Sequence, residues 1–412
     1  MDRFIDRGMK RISLIGIILF GMTLSSGSCA AESVASEVPA HERPVRRPKI
    51  QVSMDDALLD NSQTETLGLS YPEGVQRIIV FEPKNDEDMK FNNHPQLAVF
   101  KGRLYATWVG HPQHEPSPQS WVYYSSSSDG VTWDKPIRLG PDGRASGGWI
   151  TDGKYLGCLL IVGDKANKTS NTEVMISTDG VNWSEPRLLI TNAAPTESAR
   201  RLPNGRFLMA CHGLGDGDFT GVRKTRIMYS DSSDGLGEWD EANLPNILPY
   251  SENAKEKVAR PVEASWYRRK DGILVMLFRD LWFEAKERTW KVLYSVSYDN
   301  GLNWTEPKLS NIPDSDSMQC AGSDDKTCWF VNNPVATRRR VPLTIGVSSD
   351  GKFFDRMFLL RSTPQPRRYY GISKTEGYSY PGCTVWGEFL YVAYATNKED
   401  IEISRIPLSS LK

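Results

Sequence analysis

The sequence predicts an all-β fold, a six-bladed β-propeller of four-stranded blades that contain Asp-box turns. An Asp-box is here a phrase of the form Ser-x-Asp-Gly-x-x-Trp, as in Ser127–Trp133 and Ser177–Trp183. Five complete or degenerate copies recur at intervals of 50, 55, 65 and 51 residues. A near-constant interval of this size is typical of a repeat architecture. The aspartates of the five copies are Asp129, Asp179, Asp234, Asp299 and Asp350.

A second observation is a set of strand–turn–strand segments interleaved with the Asp-boxes. Most of them turn at a glycine and continue with alternating β-branched and aromatic residues. The six segments begin at His94, Gly147, Glu197, Val262, Asp316 and Tyr378. Because a single four-stranded sheet cannot bury both of its faces, the units are expected to stack around an axis. We assign this propeller to residues 76–412.

The Asp-boxes themselves are expected to be structural. Their aspartates are suited to accept backbone N–H groups, their glycines to adopt a positive φ, and their tryptophans to pack between blades. The five aspartates are therefore not counted among the catalytic acids.

The first 31 residues are predicted to be a signal peptide. Basic residues Arg7, Lys10 and Arg11 precede an apolar run, Ile12–Leu24, that is short for a membrane span. Two alternatives remain open: cleavage after the small residues that follow, or a lipoprotein signal with a lipid anchor on Cys29. Either one predicts an exported protein that is periplasmic, extracellular or attached to the cell surface as a lipoprotein. Residues 32–75 are interpreted as a polar linker with a first strand that closes the ring.

The composition argues against several kinds of partner. The chain has 50 basic and 51 acidic residues and a net charge of −1, so no overall field attracts nucleic acid or a membrane. Six cysteines are too few for a disulfide scaffold. Cys320 and Cys328 flank one turn and are either a small disulfide loop or two free thiols. No cofactor is expected and no metal site, since the His111–His114 spacing fits zinc poorly.

Several inner-strand residues keep a distinctive spacing. Gly272 and Arg279 follow Glu263 by nine and sixteen residues, and Arg340 precedes an Asp-box serine, Ser348, by eight. Tyr380 stands in a Tyr-Ser-Tyr-Pro stretch that opens the last inner strand.

In these spacings and in its Asp-boxes, the chain resembles the sialidase superfamily over roughly residues 85–412. The resemblance implies a tyrosine nucleophile at Tyr380, with Tyr378 as the alternative, and a Glu263 that polarises it. It further implies that Arg279 and Arg340 bind the carboxylate of the substrate. The chemistry is consistent, because a phenol with a pKa of about 10 needs a neighbouring base. Guanidinium groups bind carboxylates in a bidentate way.

The chain departs from the sialidase pattern in its first blade. Asn93-His94-Pro95 replaces the expected Arg-Ile-Pro, and no aspartate occupies the acid/base position after the first hairpin. Three of the five histidines, His94, His111 and His114, lie there instead. Because histidine titrates near neutral pH, we expect these histidines to act as acid or base, with Glu115 as an alternative acid.

Further residues at strand openings and closings are expected to line the same funnel. An aromatic ring beside carboxylates and polar groups suits a sugar, which has C–H groups on its face and hydroxyls on its edge. These substrate-binding candidates are Trp149, Glu197, Tyr378 and His212.

The leading functional hypothesis is an exported, exo-acting glycoside hydrolase that acts on a terminal acidic sugar of a glycan. The first alternative is a polysaccharide or uronate lyase that uses histidine and tyrosine on the same propeller. The second is a non-catalytic glycan-binding propeller. The expected partner is a glycan or oligosaccharide, with no nucleic acid, and with a membrane only through a lipid on Cys29.

Overall fold

Six antiparallel sheets in a ring make up the protein, a six-bladed β-propeller. The computed structural model describes residues 50–412 except 116, 118, 165–168, 215–222, 246–260 and 281–288. In blades 1 to 5 the first strand in the chain is the inner strand and later strands lie progressively outward, whereas in blade 6 the strand that comes first in the chain, Gln76–Phe81, is the outermost. No helix in the described part of the chain is long and apolar enough to cross a membrane.

The strand bounds follow the order in which the blades occur in the chain. Blade 1 comprises Phe91–Phe100, Arg103–His111, Trp121–Ser127 and Ile137–Leu139. Blade 2 comprises Arg144–Thr151, Leu156–Asp164, Thr169–Ser177 and Arg187–Ile190. Blade 3 has an interrupted inner strand and comprises Ala194–Pro195, Arg200–Arg201, Phe207–Leu214, Arg223–Ser230 and Asp240–Glu241.

The other three blades have the same antiparallel order. Blade 4 comprises Pro261–Arg268, Leu274–Asp280, Lys291–Ser297 and Lys308–Pro313. Blade 5 comprises Cys320–Ser323, Cys328–Asn332, Leu343–Ser348 and Arg356–Arg361. Blade 6 comprises Tyr378–Trp386, Phe389–Thr396, Asp400–Pro407 and Gln76–Phe81. Two short strands, Ser53–Met54 and Phe353–Phe354, and two short 3₁₀ helices, Asp56–Leu58 and Leu408–Leu411, complete the described elements.

The ring is closed by a strand that precedes blade 1 in the chain. The strand Gln76–Phe81 pairs antiparallel with Asp400–Pro407 and forms the outer edge of blade 6. Arg77 reinforces this pairing with two hydrogen bonds of 2.8 and 2.7 Å to the buried carboxylate of Glu402. The closing strand therefore comes from the N-terminal side of the first blade.

Part of the segment assigned to the linker packs on the propeller. Ser53–Met54 pairs in parallel with Phe353–Phe354, and Ile50, Val52 and Met54 are buried between blades 4 and 5. These apolar side chains explain why the described end of this polar segment lies against the ring.

The hydrophobic core is divided among the blade interfaces. Six clusters of buried apolar side chains lie one between each pair of neighbouring blades. The blades are thus held by side-chain packing from both faces, as the repeat predicted.

The Asp-boxes form the turns that lead into the outermost strands of blades 1 to 5. Asp129 Oδ1 accepts hydrogen bonds from the backbone N–H groups of Val131 and Thr132 at 2.8 and 2.7 Å. These bonds, led by that from Thr132, lower the pKa of the Asp129 carboxyl. The carboxylates of Asp179, Asp234, Asp299 and Asp350 likewise accept backbone N–H groups of their own turns.

The Asp-box glycine also lets neighbouring blades approach each other. Gly180 has φ +80°, and a Cβ placed there would collide with the hydroxyl of Tyr105 in the preceding blade. Gly130 has φ +73° and packs in the same way against Tyr391. The phrase therefore determines both the turn and the spacing between blades.

Gly180→Ala is expected to destabilise the fold by about 2–4 kcal/mol, because it adds a steric clash to the strain of a positive φ. Gly153→Ala is the matched control. Gly153 has φ +90°, but a Cβ added there would meet no atom within 4 Å, so only strain remains. Thermal or urea unfolding measures both; equal losses in the two variants would contradict the close packing.

The structure decides between the two alternatives for Cys320 and Cys328. Cys328 pairs with Ser323 across the hairpin, and Cys320 pairs with Val331. Since Cys320 and Ser323 are an odd number of residues apart, the two thiols face opposite sides of the sheet. Cys328 lies between blades 4 and 5 and Cys320 between blades 5 and 6, and both are free. The disulfide loop is therefore excluded.

Candidate active site

A cavity of about 500 Å³ opens at the end of the propeller where the inner strands begin. Blades 1, 2, 3, 4 and 6 contribute to its wall. Six of the predicted site residues line it: His94, His111, Glu115, His212, Glu263 and Tyr380.

Three of these side chains are presented by irregularities in the inner strands. His94, Glu263 and Tyr380 have φ of +54°, +46° and +53°, and each lies at a shift of the strand register. A left-handed conformation is unfavourable for such residues, and strained backbone of this kind is concentrated at functional sites. Bulges also redirect side chains out of the regular alternation of a strand. The repeated bulge thus brings residues from three blades into one cavity.

Tyr380 lies at the centre of a group of rings and cations. Its ring centroid is 4.1 Å from that of His94, 5.1 Å from Arg340 Cζ and 5.3 Å from Lys398 Nζ. Burial, and then the charge of Glu263, raise the pKa of the phenol, whereas the nearby arginines lower it. Tyr380 is therefore protonated in the free site near neutral pH.

Glu263 is held by Arg279 in a buried ion pair. Arg279 donates from Nη1 to Glu263 Oε2 at 2.6 Å and from Nε to Asp316 Oδ1 at 3.0 Å. Burial alone would raise the pKa of the Glu263 carboxyl, but Arg279 lowers it to about 2. His212 Nε2 also accepts the backbone N–H of Glu263 at 3.0 Å, which supports the bulge. Glu263 is thus a paired carboxylate before substrate binds.

Arg340 is oriented by blade 6 and is close to a second buried acid. Its Nη1 donates to Ser379 Oγ at 2.8 Å, and the side chain is almost fully buried. Burial raises the pKa of Asp314 to about 7, against the charges of Arg279 and Arg340. The two arginines therefore lie among three carboxyl groups, two of which, Asp314 and Asp316, were not predicted from the sequence.

Lys398 is a further residue that the sequence analysis missed. Its Nζ lies 3.3 Å from Glu115 Oε2 and 5.1 Å from the ring centroid of Phe91. Burial lowers the pKa of Lys398 to about 8, although Glu115 opposes that shift. In the sequence it occupies an ordinary hairpin turn, Asn397-Lys398, with φ of +56° and +55°. Lys398 could have been identified only if the position of its hairpin turn beside the cavity had been known.

Lys398 in turn determines the charge of the blade 1 residues. Burial would raise the pKa of Glu115, but Lys398 and then His94 and His111 lower it, so Glu115 is a carboxylate. Burial lowers the pKa of His111, while Glu115 opposes the shift. His111 Nδ1 is buried without a partner among the described residues. The cavity therefore has an imidazole and a carboxylate side by side.

Two aromatic predictions were wrong. Trp149 is 1% exposed and lies between blades 1 and 2, where it stacks on Trp183 and donates to Gln96 O at 3.1 Å. The register shift at Ser146–Gly148, just before it, turns the ring into this core. Tyr378 is also 1% exposed and packs edge-on against Tyr394 between blades 5 and 6. Tyr378 therefore lies outside the cavity and is not placed to act as the alternative nucleophile.

Two polar residues that were predicted to line the cavity, Glu197 and His114, also lie elsewhere. Glu197 pairs with Arg200 at 2.9 Å and accepts from Ser265 Oγ at 2.7 Å, beside a separate small cavity of about 20 Å³. His114 Nδ1 accepts the backbone N–H of Ile372 at 3.0 Å and does not line the main cavity. Glu197 lies in the interruption of the inner strand of blade 3, and His114 lies in the loop between the second and third strands of blade 1. No group of three or more His, Cys, Asp or Glu side chains among the described residues could hold a metal ion.

A model of the BNR repeat-like domain matches residues 102–392. The chain belongs to the BNR repeat-like family. No protein of curated function matches the sequence.

Solved structures similar to this BNR repeat-like protein include several sialidases. One named sialidase is 18% identical, with a TM-score of 0.54, over 87% of this chain and 35% of its own. Hadza microbial sialidase Hz136 is 17% identical, with a TM-score of 0.60, over 80% of this chain and 68% of its own. A protein of unknown function from Dyadobacter fermentans is 16% identical, with a TM-score of 0.58, over 81% of this chain and 99% of its own. The chain thus spans about a third of the first sialidase, and these likenesses show a sialidase-like propeller fold.

Proposed function

We propose that the protein is an exported, exo-acting glycoside hydrolase that acts on a terminal acidic sugar of a glycan. The observation that supports it best is Tyr380, in one cavity with Glu263 and surrounded by the cations Arg279, Arg340 and Lys398. Such a set combines a nucleophile with positive charge for a carboxylate. A cavity of about 500 Å³ has the size of a pocket for a small ligand or a chain end.

Substrate binding would activate the base in this proposal. The proton of Tyr380 does not transfer readily to Glu263 in the free site, because Arg279 holds the pKa of Glu263 at about 2. A substrate carboxylate that takes over hydrogen bonds of Arg279 weakens this ion pair. The pKa of Glu263 then rises, and the carboxylate becomes able to accept the phenolic proton as Tyr380 attacks the anomeric carbon.

The leaving oxygen would receive its proton from His111. The negative charge of Glu115 favours the protonated imidazole and thus opposes the effect of burial. Both residues line the cavity that contains Tyr380. In the second step water cleaves the bond between the sugar and Tyr380. Glu115, held as a carboxylate by Lys398, is suited to accept the proton of that water. The phenolate of Tyr380 leaves and regains its proton from Glu263.

One observation favours a uronate lyase as the second candidate. The rings of His94 and Tyr380 are in contact, with centroids 4.1 Å apart. In an elimination one of them removes the proton α to the carboxylate while the cations neutralise the developing charge, and the other protonates the leaving oxygen. The products are an unsaturated sugar and the shortened glycan.

Product analysis tests both candidates on a panel of acidic glycans. Hydrolysis adds one water to the mass of the products, whereas elimination adds none and forms a double bond that absorbs in the near ultraviolet. If neither product forms, both proposals fail. Tight binding on a glycan array without turnover, unchanged in Tyr380→Phe, would instead support a non-catalytic glycan-binding propeller.

Export is part of the proposal and rests on residues 1–31, which lie outside the described residues. The mature protein is expected to begin after Cys29, or at a Cys29 that carries a lipid. Sequencing of its N-terminus measures this. A mature protein that retains residues 1–24 would contradict export.

The pH profile of kcat/KM is expected to fall on the alkaline side in two steps. The first reports His111, the proposed acid, because burial lowers its pKa below the usual 6.5. The second lies near pH 8, where Lys398 loses its positive charge, since its pKa is lowered to about 8. That charge favours both the substrate carboxylate and a phenolate at Tyr380. Lys398→Arg, which retains the charge, is expected to shift the second step upward by at least about one pH unit. An unchanged second step would contradict this role for Lys398.

A further inference from the structure

Two cysteines face each other across the interface between blades 5 and 6. Cys320 lies on the inner strand of blade 5 and Cys383 on the inner strand of blade 6. Cys320 belongs to the apolar cluster that fills this interface, Cys383 packs against that cluster, and both line a cavity of about 20 Å³. The two thiols are also hydrogen-bonded to each other. Cys320 therefore has a cysteine neighbour other than Cys328.

The alternation of side chains along the strand explains why Cys320 meets Cys383 and not Cys328. Cys320 and Gly322 lie two residues apart and so point to the same face of the blade. The ring of Trp329 crosses the strand over Gly322, where a Cβ would collide with it at 2.9 Å. Trp329 Nε1 then donates to Cys383 Sγ at 3.4 Å. The face that carries Cys320 is therefore the face that contacts Cys383.

The surroundings make Cys383 the more reactive of the two thiols. The hydrogen bond from Cys320, helped by that from Trp329, lowers the pKa of Cys383 against the effect of burial. Burial raises the pKa of Cys320 well above its usual value. Cys383 is also partly exposed, whereas Cys320 is almost fully buried. A thiol that ionises readily beside a second thiol is the arrangement that thiol–disulfide exchange requires.

We propose that Cys320 and Cys383 form a disulfide that joins the inner strands of blades 5 and 6. The oxidant is a small disulfide such as oxidised glutathione. The Cys383 thiolate attacks one sulfur of the oxidant, forms a mixed disulfide and releases one thiolate. Cys320 then loses its proton, attacks the Cys383 sulfur and releases the second thiolate. The two released thiolates take up the two protons, so two protein thiols are oxidised and one disulfide is reduced.

The bond would act on the strand that carries Tyr380. Cys383 follows Tyr380 by three residues and stands directly after the register shift between Ser379 and Gly382. Cys320 and Cys383 are 63 residues apart in the chain. Because closing so long a loop restricts the unfolded chain, the bond is expected to raise Tm by roughly 5 °C. Neither the bond nor its test depends on the chemistry proposed for Tyr380.

Peptide mapping of the mature protein tests the bond. The folded protein is incubated with reduced and oxidised glutathione in urea below the unfolding transition, where local opening exposes buried thiols. Free thiols are then alkylated, and the protein is digested with trypsin without reduction. Because trypsin cleaves after Lys326, Cys320 and Cys328 fall in separate peptides. We expect one linked pair of peptides, 309–326 with 375–398, that separates on reduction.

Cys320→Ala and Cys383→Ala are expected to lose this linked pair, together with the difference of roughly 5 °C in Tm between oxidised and reduced protein. Cys328→Ala is the matched control and is expected to keep both, because Cys328 and Cys320 are each 4% exposed but face different blades. If a variant does not fold, the peptide map of wild type still decides. Alkylation of both Cys320 and Cys383 in wild type, or a link between Cys320 and Cys328, would overturn the proposal.

Discussion

Tyr380→Phe is expected to lower kcat on the order of a thousandfold, with the fold unchanged. The substitution removes only Oη, the atom that attacks the sugar or transfers a proton. The ring that remains still packs on His94 and beneath Arg340 and Lys398. Turnover of an active glycan substrate, followed by mass spectrometry, measures the effect, and circular dichroism measures the fold.

Tyr378→Phe is the matched control for this prediction. Tyr378 lies two residues earlier on the same strand but is buried between blades, away from the cavity. Its variant is expected to keep activity close to that of wild type. Comparable losses in both variants would indicate a structural effect on the strand, and full activity in Tyr380→Phe would remove Tyr380 from the mechanism.

Arg279→Met is expected to destabilise the protein by about 3–5 kcal/mol at neutral pH. It leaves the carboxylates of Glu263 and Asp316 buried without the guanidinium that both now share. Methionine is similar in length to arginine and fills much of the same space. The loss of stability therefore reflects the missing charge more than missing packing. Arg103→Met, at an exposed pair with Asp134, is the control and is expected to cost less than about 1 kcal/mol.

The pH dependence of the unfolding free energy distinguishes the loss of charge in Arg279→Met from a loss of packing. The pKa of Glu263 is about 2 in the folded protein, below its usual value of 4.5. Pairing therefore stabilises the fold above pH 4.5, and this stability is lost as the pH falls from 4.5 towards 2. In Arg279→Met burial raises the pKa of the unpaired Glu263 carboxyl above its usual 4.5. The difference in unfolding free energy between variant and wild type is therefore expected to begin to shrink above pH 4.5 and to go on shrinking as the pH falls towards 2. A difference that is constant with pH in urea unfolding would contradict the ion-pair explanation.

The propeller could be predicted because its signal is local and repeated. Each Asp-box combines a turn acceptor with a glycine of positive φ, and five copies establish where the blades lie in the chain. The positions of Glu263, Arg279, Arg340 and Tyr380 were then expected from the spacing of a resembling family. The structure brings these four side chains into one group around Tyr380.

The rest of the site depends on a strand bulge and a buried turn residue, neither of which follows the repeat in the sequence. Trp149 was expected in the funnel because it stands at the opening of an inner strand, whereas a bulge at Ser146–Gly148 turns it into the core. Lys398 was missed because a lysine in a hairpin turn is usually exposed, whereas here the turn ends beside Glu115. Burial of a turn residue is a tertiary effect, which neither composition nor spacing expresses.

Ring closure by Gln76–Phe81 also constrains the order of folding. This strand is synthesised before any other strand of the ring, yet its partner strand Asp400–Pro407 follows blades 1 to 5 in the chain. Until blade 6 has been synthesised, the early strand has an unpaired edge and blade 1 lacks the neighbour that covers one of its faces. Contacts of such long sequence separation form slowly. The nascent propeller therefore remains incompletely folded, and exposed to aggregation and proteolysis, until the strands of blade 6 are available.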